Sequence, residues 1–127
     1  MRTLALVFSL ALFAACGDGG FTAALNAAHE NQRTPEGARY DEEFGTSFAQ
    51  KHRGSLESCT AGLPRADLAR FDLVARVARD GKLEVIRVEP ATPVARCLEA
   101  KMTDDVYPPP PRAAYWVHVA VSITSDP

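Results

Sequence analysis

The chain reads as an α+β protein, a three-stranded antiparallel sheet with two helices on one face, in the order helix, strand, strand, helix, strand. Three observations predict it. Apolar residues from Tyr40 to Leu63 recur at helical steps. Two strand-like runs flank Asp80-Gly81, a dipeptide that favours tight hairpins. The last run, Ala113 to Ile123, alternates apolar residues at period two.

Ahead of these elements, Arg2 precedes an apolar run from Leu4 to Ala15, broken only by Ser9. A bilayer span needs about 20 apolar residues. This run is shorter and has the flanks of a signal-peptide core. It ends Ala14-Ala15-Cys16, which resembles the lipobox of bacterial lipoproteins, with Phe13 where that motif usually has Leu. The resemblance implies cleavage before Cys16 and lipidation of that residue: a diacylglycerol thioether, with fatty chains such as palmitate as the membrane anchor. Gly17 is not the Asp that marks inner-membrane retention in enteric lipoproteins, so the outer membrane is favoured, with the domain facing the periplasm. The expected organisation is a signal peptide over 1–15, a lipidated Cys and tether over 16–37, and one domain over 38–127.

Composition sets the class. The chain has 14 basic and 16 acidic residues, and losing Arg2 with the signal peptide leaves a mature net charge of −3. No basic run occurs, which argues against nucleic acid as a partner, since that binding neutralises phosphates with Lys and Arg. Of the cysteines Cys16, Cys59 and Cys97, lipidation consumes the first. An oxidising compartment then favours a Cys59–Cys97 disulfide over two separate buried thiols.

Residues 17–36 carry a Gly-rich start and an Ala-rich piece without a sustained apolar face, and read as the tether. The first helix is expected over about 38–61, with acidic Asp41, Glu42 and Glu43 near its start and Cys59 in its last turn. Gly62 and Pro64 end it. Phe71, Leu73, Ala75 and Val77 then mark one face of a strand within Leu68–Ala78. The second strand, Leu83–Glu89, breaks its alternation at Val85–Ile86, the signature of a β-bulge. Thr92-Pro93 opens the second helix as N-cap and first helical residue, with Val94, Cys97, Leu98 and Met102 as its apolar stripe. Pro108 to Pro111 form a stiff connector into the last strand. That strand places Tyr115, Val117, Val119 and Val121 on one face, and Trp116 and His118 on the other.

Taken together, Cys59 late in the first helix, Asp80-Gly81-Lys82-Leu83 at the hairpin, Ile86-x-Val88, Cys97, the Tyr107–Pro111 segment and Val117-x-Val119-x-Val121 resemble the TonB C-terminal domain. The likeness is to the cysteine-containing variant of AgmX/PglI-type C-terminal domains, over about residues 40–124. It implies an envelope protein without catalytic activity, binding an envelope partner by β-strand addition along its last strand; the alternative is a structural envelope lipoprotein without a discrete ligand. Energy transducers with this domain keep a transmembrane helix and a long proline-rich spacer. This chain has a cleaved signal peptide and a short tether instead, so the expectation keeps the fold and drops the transduction role.

Chemistry-bearing motifs are sparse. His29, His52 and His118 have no second ligand at metal spacing and are each expected at the surface, and no Gly-x-Ser-x-Gly elbow or Gly-rich phosphate loop occurs. The expectation is a chain without catalytic residue, metal or cofactor. The residues expected to bind a partner are Trp116, read equally as an exposed aromatic anchor or as a ring packed under the proline segment, His118 beside it, and Val119 on the same strand.

Overall fold

The computed structural model describes residues 20–123. The expected signal peptide over 1–15 and the expected lipidation of Cys16 fall outside the described residues, as do residues 17–19 and 124–127. The elements are α1 (Gly20–Asn31), α2 (Pro35–Thr60), a single 3-10 turn (Arg65–Asp67), β1 (Phe71–Val77), β2 (Leu83–Glu89), α3 (Pro93–Met102) and β3 (Tyr115–Val121). The sheet is antiparallel with spatial order β2-β1-β3. Among the described residues, no helix is long and apolar enough to cross a membrane.

Each element begins or turns where local chemistry dictates. Thr34 caps α2, its Oγ1 accepting from the Gly37 N–H at 3.0 Å, and Pro35 opens the helix. Thr92 does the same for α3, accepting from the Ala95 N–H at 3.2 Å ahead of Pro93. The hairpin closes through Gly81, whose φ of 88° suits a residue without Cβ. A side chain there would also strike the Tyr107 carbonyl, which lies 1.9 Å from an ideal Cβ position. The bulge sits one step earlier than expected. Register shifts between Arg76 and Val77, which pair with Val85 and Leu83, so Glu84 is the extra residue. That shift returns Leu83 to the same inner face as Ile86 and Val88.

The main core lies between one sheet face and the pair α2 and α3. Tyr40, Phe44, Phe48 and Cys59 of α2 meet Val94, Ala95, Leu98 and Met102 of α3 over Phe71, Leu73, Ala75, Val77, Tyr115, Val117 and Val121. Phe44 stacks on Tyr107 with ring centroids 4.0 Å apart, and Tyr40 meets Tyr115 edge-on at 5.2 Å. The Tyr40 hydroxyl donates to the Pro108 carbonyl at 2.8 Å, fixing the proline connector against α2. Cys59 and Cys97 form a disulfide, with Cα atoms 5.7 Å apart, that joins the two helices over this core.

The two expected helices, α2 and α3, share one face of the sheet; the tether expected ahead of them requires correction. Residues 20–31 form α1, a third helix, packed on the opposite face of the sheet. Its buried residues are Ala24 and Ala28, 1% and 0% exposed, and Val74 is the one β1 residue of that face with no exposure. The physical reason is size. Two alanines four residues apart let a helix backbone approach a sheet closely, yet they give almost no apolar periodicity to read. α2 likewise begins three residues earlier than expected, because Thr34 and Pro35 cap it tightly against α1. An ideal Cβ at Gly37 would lie 1.7 Å from the Asn31 carbonyl oxygen, so only glycine permits this close turn.

The disulfide closes a span of 38 positions. In the chain-entropy account it stabilises the fold by about 4 kcal/mol. A Cys59→Ser/Cys97→Ser variant is expected to lose about that much, read as a lowered urea midpoint together with a steeper slope, because the unfolded chain without its cross-link exposes more surface.

Candidate functional site

β3 lies at one side of the sheet, so its outer side is a strand edge. Two observations fix which backbone groups face outward. Ala78 directs its N–H to the Lys82 carbonyl and its C=O to the Gly81 N–H, so it faces β2, and by alternation Arg76, Val74 and Asp72 do too. That leaves Phe71, Leu73, Ala75 and Val77 to bond Val121, Val119, Val117 and Tyr115. Independently, the Trp116 carbonyl accepts from Asn31 Nδ2 at 3.0 Å, away from β1. Trp116, His118 and Ala120 therefore present their N–H and C=O at the edge. Asn31, itself held by Arg112, occupies the edge at Trp116. Among the described residues no side-chain donor reaches the carbonyls of His118 or Ala120. Beside this half of the strand lies a groove of about 250 Å³ between the end of α2 and the end of β3, lined by Leu56, Glu57, Thr60, Ser122 and Ile123.

The three expected partner residues land in different settings. Trp116 is half-buried, with the Arg76 and Arg87 guanidinium carbons 5.7 and 5.8 Å from its ring centroid. It packs with these arginines on the α1 side of the sheet and not under the proline connector, which lies on the α2 side. Val119 packs at the margin of the main core, and its backbone pairs with Leu73. His118 sits in a chain of polar groups. Its Nε2 donates to Asp72 Oδ1 at 2.9 Å, and its Nδ1 lies 3.2 Å from His29 Nε2. The carboxylate fixes the tautomer. In neutral His118 the Nδ1 is then an acceptor, and His29 is the donor. Asp41 of α2 lies within the field of both rings, its carboxyl held above the usual range by burial, with Gln32 and the two histidines pulling the other way. This chain fastens α1 to the sheet. It brings together His29 and His118, which are 89 positions apart. Among the described residues no group of three or more His, Cys, Asp or Glu is placed to hold a metal ion.

A second polar cluster overturns the expectation that His52 sits at the surface. His52 is 4% exposed and lies between Asp105 and Ser55. Its Nε2 meets Asp105 Oδ2, and its Nδ1 is 3.0 Å from Ser55 Oγ. The Tyr107 hydroxyl donates to the same Asp105 oxygen at 2.9 Å. These are the residue types of a nucleophile, base and acid set. The setting does not suit that chemistry. Ser55 lies inside α2, where neighbouring N–H groups are consumed by helix bonds and none is left to stabilise an oxyanion. The cluster instead ties α2 to the segment that follows α3. One signal was legible: His52 continues the four-residue step Tyr40, Phe44, Phe48 and so falls on the buried stripe.

Two outcomes follow from this cluster. His52→Ala opens a cavity and strips a partner from Asp105, and is expected to cost about 2–4 kcal/mol in chemical unfolding. Burial, reinforced for Tyr107 by its bond to Asp105, pushes the Tyr40 and Tyr107 hydroxyls above the usual phenol value of 10.0. The unfolded chain then loses these protons first. Stability is therefore full below pH 10 and falls as pH rises through it. Melting temperature measured from about pH 9 to 11 is expected to drop, and to drop less in Tyr107→Phe.

No family model matches this sequence, no curated protein matches it, and no solved structure matches its fold.

Proposed function

We propose that this chain is a non-catalytic, lipid-anchored module of the bacterial envelope that binds a protein partner by adding a strand to the edge of β3. The observation that carries the reading is the half of β3 from His118 to Val121. There the outward backbone groups of His118 and Ala120 lie beside a groove able to receive alternate side chains of an incoming strand. Trp116 and His118 serve the site from below, by packing with Arg76 and by holding α1, and the backbone supplies the contact.

The TonB C-terminal-like reading belongs here as well. It is supported by the order α2, β1, β2, α3, β3, by the Asp80-Gly81 hairpin, and by the cysteine pair joining the two helices. α1 is an addition to that pattern. The lipid anchor at Cys16, with the signal peptide before it, remains the sequence-level part of the proposal.

The test uses the outward alternation. Val119→Pro is a poor probe, because Val119 bonds β1 and its loss weakens the sheet itself. Ala120→Pro removes an outward N–H and leaves the β1 ladder intact. A photo-crosslinker at exposed Ser122 is expected to capture one dominant envelope protein, and Ala120→Pro to abolish capture while the far-UV spectrum stays native. Undiminished capture by a folded Ala120→Pro variant rules out strand addition at this edge.

A further inference from the structure

We infer that the end of the domain formed by Phe21, Val88, Ala91 and Arg96 lies directly against the bilayer surface. The inference rests on the lipidation of Cys16 proposed above and deepens it by assigning the face that meets the lipid.

Length is the first argument. Only Gly17, Asp18 and Gly19 stand between Cys16 and the first residue of α1. Four residue steps reach at most about 14 Å. α2 alone, with 26 residues, is about 39 Å long. A domain of that size on so short a leash cannot turn freely, and whichever surface surrounds Gly20 is held at the membrane.

The second argument is where Gly20 is held. α1 is fixed at several points. Ala24 and Ala28 are buried on the sheet, His29 is bonded to His118, and Asn31 is bonded to the Trp116 carbonyl. Its C-terminal end is therefore at the start of β3. Its N-terminal end reaches the far end of β2, where Phe21 lines a groove of about 280 Å³ with Val88, Ala91, Arg96 and Glu99. The helix thus crosses the sheet diagonally, and the anchor leaves beside the Glu89-Pro90-Ala91 corner. The hairpin at Arg79–Lys82 is at the opposite end of β2 and faces away from the lipid.

The chemistry of that end suits a headgroup layer. Phe21 and Val88 are half-buried, Pro90 and Ala91 are exposed, and exposed Arg96 is accompanied by Glu99. Short apolar groups beside a balanced pair of charges fit the interfacial zone without requiring anionic lipid.

The test uses the full lipidated chain in vesicles of phosphatidylethanolamine and phosphatidylglycerol. A benzophenone side chain is placed either at Ala91 or at Arg79, both exposed and outside the core. Lipid adducts are expected at Ala91, with loss of them at Arg79. A flexible Gly-Ser insertion of about 20 residues between Gly19 and Gly20, spanning about 25 Å as a coil, is expected to reduce the Ala91 adducts several-fold while leaving membrane association intact. Equal labelling at the two positions, or an insertion without effect, in protein whose Cys16 lipid is verified by mass, overturns the inference alone. A Cys16 without lipid overturns the anchor and the inference together.

Discussion

The structure depends on β1 being covered on both faces. Phe71, Leu73, Val74, Ala75 and Val77 have no exposure at all. A sheet of three strands is too narrow to shield its middle strand by width, so each face needs its own layer. α2 and α3 supply one and α1 the other. The demand is asymmetric. Four residues of β1 face the helix pair, and Val74 with its neighbours faces α1. The thicker core accordingly carries Tyr40, Phe44, Phe48 and the disulfide, and the thinner one sets the α1 alanines, fastened by hydrogen bonds, beside Trp116.

Those hydrogen bonds use side chains where apolar area is scarce. An alanine contact buries little surface, so α1 gains much of its fixation from His29 and Asn31 at its C-terminal end. The same logic holds at the far side of the molecule. The segment from Asp105 to Pro108 lies over α2 without regular structure, and its position is set by bonds from Tyr107, His52 and Tyr40. In both places a polar network performs the positioning that packing does elsewhere, and each network is satisfied by partners distant in sequence.

This division explains what was legible in the sequence. Elements that bury large side chains at a regular period were readable: the step Tyr40, Phe44, Phe48 for α2, the alternation through Val117 and Val121 for β3, and Thr92-Pro93 for the start of α3. Asp80-Gly81 announced the hairpin through backbone chemistry alone. α1 was missed because Ala24 and Ala28 are apolar only by contrast with a closely approaching sheet, and Gly17 to Gly20 reads as a linker. The cysteine pair was legible by parity. The edge of β3 was legible as a strand, but which of its residues offer free backbone groups follows from register, which no local pattern encodes. Hence Trp116, prominent as the single tryptophan, is committed to Arg76 and Arg87, while Ala120, which nothing in the sequence marks, holds the open position.

The disulfide also determines how the domain bears force. Tension that enters at the N-terminal end of α1 and leaves through β3 passes along α2 to Cys59, crosses the sulfur bridge to Cys97, and continues into the proline connector. Residues 60–96, with β1 and β2 among them, form a closed covalent ring that lies off this path. The hairpin cannot be drawn out as slack, however hard the ends are pulled. On this path the alanine contact of α1 comes first, and the disulfide-closed core lies behind it.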